Sequence, residues 1–429
     1  MAAAAIGLSA SLMLTACGSD DDKDDSSDNG AQGGSGAPKD ATLKLAVADY
    51  GSGDGSTKAY WDGVIKNFNA KYPGIKVDLE VISWDDIDKK VATMIQNKQL
   101  PDILQTGGYA DKVADDLLYP VKDVMSDATR ADLIESFLPS SSVGSEQFGI
   151  PFTSSARQMF YNKDLFAKAG IAEPPKTWDE LKAVAEKLKA AGVATPYGLP
   201  MGSEEPQGEF MNWFLGNGGA YKTGDKYTIN SQANVDTLNW INDNLVKPGL
   251  TEPNPGTKKR AEIWTDFYGG SAGMVNGHPT MLPQLKNKYP NINFGTAPIP
   301  GKSGPLTETL GVADYVMAFK QNGHKDQIKA FLDVAYNTEN QLKFQQDNSF
   351  VPVTKSVMTK MAADPANEKL KPFIEMMPNA KFYPVNDTAW DVISPKIKTE
   401  LGAAVGGKSP KEVLDQLQKA AEEAVKMQQ

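Results

Sequence analysis

Residues 149–181 read GIPFTSSARQMFYNKDLFAKAGIAEPPKTWDEL, and the prediction of the fold depends on this stretch. It begins with Gly149-Ile150-Pro151, which enters an extended segment, and its last part opens a helix at Thr177. Thr177 can cap that helix while Glu180, three residues later, reaches back, which is the pattern of a capping box. One apolar stripe then runs up to Gly192 and consists of Leu181, Val184, Ala185 and Leu188. The stretch therefore predicts an extended segment that leads into a capped, amphipathic helix.

The length and composition of the chain are those of a multidomain globular protein. Its 429 residues exceed what one ordinary hydrophobic core contains, so we expect two or three domains. Apolar residues make up 40% and aromatic residues 9% of the chain, as in soluble globular proteins. After residue 17 the sequence contains no apolar run long enough to span a membrane, and we find no internal repeat.

The first residues resemble an export signal with a lipid attachment site. An apolar run over residues 2–14 is too short to cross a bilayer and leads directly into Leu14-Thr15-Ala16-Cys17-Gly18. This string resembles the bacterial lipobox, which implies a signal peptide over residues 1–16 and lipid attachment to the sulfur of Cys17. Because Cys17 is the only cysteine, no disulfide can form within the chain.

Residues 17–40 have the composition of a lipidated cysteine followed by a disordered tether. The segment is rich in Asp, Ser, Gly and Asn and offers almost nothing to bury. It holds seven aspartates against two lysines, so it carries half of the net charge of −10. The remaining body is mildly acidic and has three arginines, which argues against a nucleic-acid partner and favours a neutral ligand over a polyanion.

From Thr42 onward, strand patterns alternate with helix patterns. Leu43, Leu45 and Val47 alternate as in a strand, Trp61 begins a helical stripe, and residues 75–81 alternate again. A second helix is predicted over residues 85–97. Strands interleaved with helices predict an open α/β sheet with its ligand crevice at the carboxyl ends of the strands. The loops expected at that crevice are residues 49–57, 83–86 and 105–111.

Six motifs, in a fixed order, carry a resemblance to a known family. They are Pro101-Asp102-Ile103, Leu117-Leu118-Tyr119-Pro120-Val121, Tyr161-Asn162-Lys163-Asp164-Leu165, the step from Phe267 to Met274, the run from Glu308 to Met317, and Phe350-Val351-Pro352-Val353. With this order the chain resembles the extracellular solute-binding proteins of ABC importers, in particular the carbohydrate-binding, maltose-binding-protein-like group. The resemblance covers residues 42–429.

The resemblance implies a periplasmic-binding-protein-like α/β fold, in which three crossover segments join two α/β lobes. We expect the first lobe to comprise residues 41–154 and 312–351, and the second lobe residues 155–311 and 352–429. It further implies a monomeric receptor, lipid-anchored at the extracytoplasmic face of the bacterial membrane. Such a receptor binds an oligosaccharide or glycoside between its lobes and delivers it to the ABC permease, without a cofactor, a metal or a catalytic step.

Sugar binding needs aromatic rings for the apolar face of a pyranose and short polar groups for its hydroxyls. Candidates of these types occur on the predicted crevice loops, beside the crossings and in the second lobe. They are Asp49, Tyr50, Trp84, Thr106, Tyr109, Ser154, Ser155, Arg157, Gln207, His278, Asp314 and Trp390. An interlobe salt bridge would also explain Arg157, and Asp314 could be a structural carboxylate.

Five other tryptophans fit the hydrophobic core better than a ligand site. Trp61, Trp213, Trp240 and Trp264 belong to helical segments, and Trp178 starts the capped helix as a packing anchor. At one position the sequence departs from the family. Members of the family usually present a tryptophan after the Gly-Met step, whereas this chain has Asn276-Gly277-His278-Pro279-Thr280.

Alternative functions remain open at this point. A receptor for a polyamine or a peptide would use carboxylates such as Asp49, Asp111 and Asp314. A surface glycosidase or esterase would need paired carboxylates or a triad, and residues 269–273 match G-x-S-x-G on paper, with His278 or His324 and Asp314 as partners. That motif requires a strand before the serine and a helix after it, whereas the pattern here is the reverse. Two histidines and no HExxH motif make metal catalysis a poorer fit.

Overall fold

The computed structural model describes residues 38–50, 56–84 and 86–427. The predicted signal peptide, Cys17 and the tether up to residue 37 lie outside the described residues. Within the described ranges, no helix is long and apolar enough to cross a membrane.

Fifteen strands are assigned within the described residues. They are β1 (Ala41–Ala48), β2 (Ile75–Ile82), β3 (Ile103–Thr106), β4 (Ser142–Val143), β5 (Glu146–Gln147), β6 (Ile150–Ser155), β7 (Gln158–Asn162), β8 (Thr195–Gly198), β9 (Lys222–Thr223), β10 (Lys226–Tyr227), β11 (Ala272–Gly277), β12 (Phe294–Ala297), β13 (Thr309–Leu310), β14 (Val312–Ala318) and β15 (Ala380–Lys381).

The α-helices assigned within the same ranges are interspersed among these strands. They are α1 (Ser56–Lys71), α2 (Ile87–Gln96), α3 (Ala110–Ala114), α4 (Val121–Val124), α5 (Asp127–Asp132), α6 (Leu138–Ser141), α7 (Lys163–Lys168), α8 (Trp178–Ala190), α9 (Pro206–Leu215), α10 (Gln232–Ile241), α11 (Arg260–Tyr268), α12 (Met281–Asn287), α13 (Lys325–Ala335), α14 (Thr338–Asn348), α15 (Lys355–Ala363), α16 (Lys371–Met376), α17 (Thr388–Glu400) and α18 (Pro410–Lys426). The predicted second helix is confirmed as α2, with slightly shorter bounds.

The first sheet has the strand order β2-β1-β3-β14-β6. β1 is parallel to β2 and β3, whereas β14 is antiparallel to β3 and β6. The predicted helical stripe of α1 packs on this sheet through Trp61, whose indole stacks on Phe152 at 5.2 Å and on Phe331 at 6.3 Å. Trp61 is a core residue, as its position in the stripe predicts.

The second sheet has the strand order β12-β7-β11-β8, with β7 antiparallel to its neighbours and β8 parallel to β11. The predicted capped helix is α8. The Thr177 hydroxyl accepts the Glu180 backbone N–H at 3.2 Å, but the Glu180 carboxylate accepts from Lys176 instead of from Thr177. Trp178 anchors the helix among two further indoles, with ring centroids 5.6 Å from Trp213 and 5.0 Å from Trp240.

Three chain segments run side by side between the two sheets. The first passes from β6 to β7, and the second passes from β13 to β14. The Arg157 backbone N–H donates to the Thr309 hydroxyl at 2.8 Å, which joins the first segment to the second. The third segment is joined to the first where the Val351 N–H donates to the Ser154 carbonyl at 2.9 Å. We refer to these segments as the first, second and third crossings.

The chain after the third crossing touches both sheets. The Ser356 N–H on α15 donates to Asp132 at 2.9 Å, on the side of the first sheet. On α16, the next α-helix, the ring of Phe373 lies 6.0 Å from that of Phe160 in the second sheet. Residues 355–376 therefore bridge the two halves of the molecule.

Candidate ligand-binding cleft

The first wall of the cleft is built at the end of β1. The Tyr50 hydroxyl donates to Asp314 Oδ2 at 2.8 Å and accepts from Gln105 Nε2 at 2.7 Å. Trp84, which follows β2, meets the Tyr50 ring edge-on at 5.8 Å and is 40% exposed. An indole supported from behind and open in front can cover the apolar face of a ligand. Asp49 lies beside this group, half-buried, with its N–H bound to the Ile82 carbonyl.

Sheet topology explains why these side chains meet. Tyr50 follows β1, Gln105 lies on the neighbouring β3, and Asp314 lies on β14 next to β3. The Tyr50 ring is held edge-on by Phe344 at 5.4 Å and by Phe350 at 5.2 Å. Because the ring is packed on these sides, its hydroxyl is aimed before any ligand arrives.

The first wall combines one ionisable carboxyl group, that of Asp314, with a neutral phenol. Burial raises the pKa of Asp314 to about 6, although the hydrogen bond from Tyr50 acts in the opposite direction. Burial and the nearby Asp314 carboxylate raise the pKa of Tyr50 well above its ordinary value. At neutral pH, Tyr50 is therefore a neutral donor and most Asp314 is ionised.

Two buried hydroxyls beside this wall lack a partner within the part of the chain that the structure describes. Thr106 Oγ1 lies at the end of β3, and Ser154 Oγ lies at the start of the first crossing. Buried hydroxyls are nearly always hydrogen-bonded in proteins, to protein or to water. These two atoms are therefore candidates for contact with a polar ligand.

The floor of the cleft is the first crossing, and Arg157 occupies it. Its side chain is 3% exposed, with Nη1 donating to Ser155 Oγ at 2.7 Å and Nη2 donating to Glu205 Oε1 at 3.0 Å. Glu205 precedes α9 in the second half of the molecule. Arg157 therefore connects the two halves, which agrees with the alternative hypothesis that it forms an interlobe salt bridge.

The second wall is formed by Glu204 and Glu205, which precede α9, and by Arg260, which begins α11. Together with Arg157 of the floor they form a cluster of four charged side chains. Arg260 Nη2 donates to Glu204 at 3.0 Å, and Arg260 Nη1 pairs with Glu205, which also accepts from Arg157. The Arg260 guanidinium lies over the Trp264 ring at 5.0 Å. Trp264 is thus part of this wall as well as of the core. Every charge in the cluster is balanced by an opposite one.

Two oxygen atoms of the second wall are buried without a hydrogen-bond partner among the described residues. They are Gln207 Oε1 in the first turn of α9 and the hydroxyl of Tyr383. Tyr383 lies directly against α9, since a methyl group on Gly208 would come within 2.9 Å of its hydroxyl. The two atoms extend the polar surface of the second wall.

His278 lies at the edge of the second wall as a neutral side chain. Burial, with the positive charges of Arg157 and Arg260, holds its pKa well below the ordinary value. Its Nδ1 shares a hydrogen bond with Thr280 Oγ1 at 2.7 Å, and its ring meets Trp264 at 4.6 Å. Its position after β11 fits a ligand contact, which stays a prediction.

Two predicted site residues are placed in the hydrophobic core instead. Tyr109 is fully buried, its hydroxyl donates to the Ser140 carbonyl at 2.7 Å, and its ring packs on Tyr315 at 5.3 Å. Trp390 is 4% exposed and lies between Tyr221 and Tyr383, each 5.4 Å away. Since both side chains are buried, neither can stack on a ligand in this arrangement, and our site does not include them.

The residues proposed for a serine triad do not meet. Ser271 lies between helix α11 and strand β11, the reverse of a nucleophile elbow, and its hydroxyl donates to the Asp266 carbonyl at 2.9 Å. His324 is bound to Asp102 at 2.9 Å. Asp314 is bound to Tyr50, as described above.

The two halves also touch beside the second crossing. Asn386 Nδ2 donates to the carbonyls of Pro139 at 3.1 Å and Ser142 at 2.9 Å. A second contact involves Asp391 on the following helix, α17. The carboxyl group of Asp391 accepts the backbone N–H of Asp111. Burial and the Asp111 carboxylate raise the pKa of Asp391 to about 7.

Two sheets linked by three adjacent crossings, with polar walls where they meet, are the architecture of two-lobed proteins that bind a ligand between their lobes. Residues 53–342 match the family described as bacterial extracellular solute-binding protein, and the chain belongs to that family. The predicted family and its periplasmic-binding-protein-like fold are confirmed. The family consists of binding proteins.

Relatives in other bacteria extend along most of the chain. A binding protein of Brucella abortus (strain 2308) is 32% identical over 349 residues, covering 80% of this chain and 83% of its own length. The diacetylchitobiose binding protein of Streptomyces coelicolor is 26% identical over 438 residues, covering 97% of this chain and 96% of its own.

The fold also matches solved structures. The crystal structure of the cyclic alpha-maltosyl-1,6-maltose binding protein from Arthrobacter globiformis superposes with a TM-score of 0.77. The match covers 90% of this chain and 100% of that chain, at 23% sequence identity. This likeness supports the fold of the whole described body.

Proposed function

We propose that this protein is the lipid-anchored receptor of an ABC importer and that it binds a neutral carbohydrate, an oligosaccharide or a glycoside, between its lobes. The observation that carries the proposal is the pair of walls described above, which are polar and partly aromatic, with the charges of the second wall paired to one another. We assign residues 41–154 and 312–351 to the first lobe and residues 155–311 and 352–429 to the second, with α15 and α16 bridging them.

Charge balance favours a neutral ligand. In the second wall, Arg157 and Arg260 are both committed to Glu204 and Glu205. The ion pairs among these four side chains are largely buried, and a charged ligand would have to break them to bind there, at a cost of about 3–5 kcal/mol. A polyhydroxyl ligand can bind without breaking them.

The hydrogen-bonding groups of the walls suit sugar hydroxyls. Gln207 Oε1, the Tyr383 hydroxyl, Thr106 Oγ1 and Ser154 Oγ are buried and have no partner in the described chain. A buried polar atom without a partner costs about 1–3 kcal/mol, which a ligand hydroxyl can recover. The exposed face of Trp84 adds a platform for the apolar side of a pyranose.

Two of the similar proteins support the same ligand class, whereas relatives in Shigella dysenteriae and Escherichia coli are described as binding sn-glycerol 3-phosphate. The Streptomyces coelicolor relative is described as binding diacetylchitobiose and the Arthrobacter globiformis structure as binding a cyclic maltosyl-maltose. Both ligands are neutral oligosaccharides, so we infer an oligosaccharide for this chain as well.

We infer that the protein is held at the outer face of the membrane through Cys17 and acts as a monomer. A ligand that touches both walls binds the closed arrangement of the lobes more tightly than the open one, and so shifts the population towards closure. The closed form then docks on the permease. No bond of the ligand is made or broken.

A thermal-shift screen tests the ligand class. The panel contains maltose, maltotriose, N,N′-diacetylchitobiose, putrescine, sn-glycerol 3-phosphate and a dipeptide. A ligand at 100 times its dissociation constant stabilises the protein by about 2.7 kcal/mol, which moves the unfolding midpoint by a few degrees. We expect a shift with a neutral saccharide and chromatographic recovery of that saccharide unchanged. A shift with putrescine or the phosphate alone would contradict the proposal.

Two variants test whether the saccharide binds at the two walls. We expect Trp84→Ala and Gln207→Ala to lower saccharide affinity, measured by calorimetry, because they remove the platform and a hydroxyl partner. Tyr289→Ala is the control, since Tyr289 stacks on Tyr268 at 4.9 Å outside both walls. Equal affinities for all three variants would place the ligand elsewhere.

A further inference from the structure

Arg157 forms hydrogen bonds through both its backbone and its side chain. Its backbone lies in the first crossing and is tied on both sides to Thr309, where the second crossing begins. The Arg157 N–H donates to Thr309 Oγ1 at 2.8 Å, and the same hydroxyl lies 3.3 Å from the Arg157 carbonyl oxygen. One residue therefore fastens two of the three crossings together.

The Arg157 side chain connects the first sheet to the second lobe. Nη1 donates to Ser155, which directly follows the residues assigned to the first lobe but still pairs with Val312 in the first sheet. Nη2 donates to both carboxylate oxygens of Glu205, at 3.0 and 3.3 Å, at the start of α9 in the second lobe. A rotation of the lobes about residues 155–158 would change the distance between Ser155 and Glu205, so it must stretch or break one of these contacts.

The hydrogen bonds between Arg157 and Glu205 are strong because both groups are ionised and largely buried. Arg157 is 3% exposed and Glu205 is 15% exposed, and hydrogen bonds between ionised groups are about twice as strong as neutral ones. Burial lowers the pKa of Arg157, but the guanidinium group of arginine stays protonated in proteins. The tether between the lobes is therefore charged under all ordinary conditions.

Arg260 provides an internal comparison. It pairs with the same Glu205 carboxylate, but its other contacts are Glu204 and the Trp264 ring, which all belong to the second lobe. Arg260 therefore shares the charge, the burial and the carboxylate partner of Arg157 without touching a crossing or the first lobe.

We propose that Arg157 is a positioning residue that fixes the angle between the two lobes of the ligand-free protein. It holds the lobes within a narrow range of rotation by clamping Ser155, Glu205 and Thr309 together. It acts on ligand binding only through the population of the closed arrangement. This inference does not depend on which solute is bound.

Spin-label distances between the lobes test the role of Arg157 without any ligand. Lys66 on α1 and Lys187 on α8 are exposed and lie in different lobes, so both are replaced by cysteine in the full chain. Cys17→Ser removes the only native thiol. We expect a single narrow distance peak for the parent and an additional population at longer distance for Arg157→Met. Arg157→Lys, which can keep the pair with Glu205, should largely restore the parent distribution.

Control variants separate positioning from general stability. Arg260→Met removes the other cation of Glu205 and should leave the distance distribution unchanged. Thr309→Val is nearly the same size as threonine, and its loss of the hydroxyl should broaden the distribution in the same sense as Arg157→Met. Circular dichroism checks that each variant is folded. If Arg157→Met does not fold, Ser155→Ala and Thr309→Val carry the test.

The proposal is overturned if the Arg157→Met distribution equals that of the parent, or if Arg260→Met changes it by the same amount. It is also overturned if neither Ser155→Ala nor Thr309→Val has an effect. Because no saccharide is present, these outcomes are independent of the proposed ligand class, which the thermal-shift screen tests separately.

Discussion

Tyr50 and Asp314 are 264 residues apart in the chain, and the phenol of Tyr50 donates a 2.8 Å hydrogen bond to the carboxylate of Asp314. The contact joins the first strand of the chain to the strand that returns through the second crossing. Gln105, on the strand between them, donates to the same phenol at 2.7 Å. A wall fixed in this way needs little rearrangement when a ligand arrives, and preorganisation of this kind raises affinity.

Removing the phenol should weaken ligand binding and change the acidity of its partner. Tyr50→Phe keeps the ring packing but takes the acceptor from Gln105 and the donor from Asp314. We expect roughly tenfold weaker saccharide binding by calorimetry, as for the loss of one hydrogen bond to a charged group. The pKa of Asp314 should rise above about 6, because the Tyr50 hydrogen bond lowers it, and NMR titration of the Asp314 carboxyl carbon measures this. Tyr72→Phe, on the outer end of α1, is the control and should change neither quantity.

The free energy of unfolding should fall as the pH rises, because burial makes the carboxyl group of Glu209 harder to ionise in the folded protein than in the unfolded one. Burial raises the pKa of Glu209 to about 7 from 4.5, with Arg157 and Asn276 opposing and Glu252 adding to the increase. Between these two pH values the folded state holds a proton that the unfolded state has lost. The unfolding free energy therefore falls across this window, by about 3 kcal/mol at most, and is level above pH 7.

The measurement is urea unfolding at pH 5 and pH 8. We expect the fall in unfolding free energy to be smaller in Glu209→Gln than in the parent, because the amide does not titrate. Glu252, Asp314 and Asp391 have raised pKa values and act in the same direction, so part of the fall remains. Glu186→Gln on the exposed face of α8 is the control, and an identical loss of pH dependence there would contradict the assignment to Glu209.

The sequence predicted those features that depend on neighbouring residues. The Thr177 cap, the apolar stripe of α8 and the burial of Trp61 follow from spacing within one helix, and the structure has all three. The motif order also predicted the crossings, since the three segments are adjacent in the structure as the resemblance implied. The first three features depend only on spacing within one helix, and the crossings follow from motifs that the chain shares with its family.

The binding walls could be predicted only in part, because side-chain partners come from distant segments. Glu205 and Arg260 were missed, although a Glu-Glu-Pro helix start and the scarcity of arginine were available signals. Tyr109 and Trp390 have the right residue type for a sugar platform, yet both are buried in the core. Whether an aromatic ring faces a cleft or a core is decided by tertiary packing, which spacing along the chain does not contain.

Gly149, directly before β6, should not tolerate a side chain. A methyl group there would lie 2.8 Å from the Tyr109 ring and 2.9 Å from the Tyr315 ring, both of which are buried. We expect Gly149→Ala to destabilise the protein by about 1–3 kcal/mol in urea unfolding, the usual cost of overpacking.

Gly63, in the middle of α1, is the matched control for Gly149. A methyl group on Gly63 would meet nothing within 4 Å. Because alanine favours a helix over glycine, Gly63→Ala should stabilise the protein by about 0.5–1 kcal/mol. Destabilisation by both substitutions would show that the backbone, and not the Tyr109 and Tyr315 rings, sets the requirement at Gly149.

The contact between Asp391 and Asp111 should make ligand affinity depend on pH. The pKa of Asp391 is raised to about 7 by burial and by the Asp111 carboxylate, while Lys112 and the Asp111 N–H act in the opposite direction. Above pH 7 the two ionised carboxyl groups repel each other across the lobes, whereas protonation of Asp391 below pH 7 removes that repulsion. If the lobes must be in contact for tight binding, affinity should rise as the pH falls from 8 to 6.

Asp391→Asn tests this link between pH and lobe contact, because its side chain has the size of aspartate and stays neutral. Calorimetry with the saccharide found in the screen should give a nearly level affinity between pH 6 and pH 8 for this variant, close to the acid-side affinity of the parent. Asp415→Asn, on the exposed face of α18, should keep the parent's pH dependence. A slope that persists in Asp391→Asn would instead point to Asp314, whose pKa of about 6 lies in the same window and whose carboxylate forms part of the first wall.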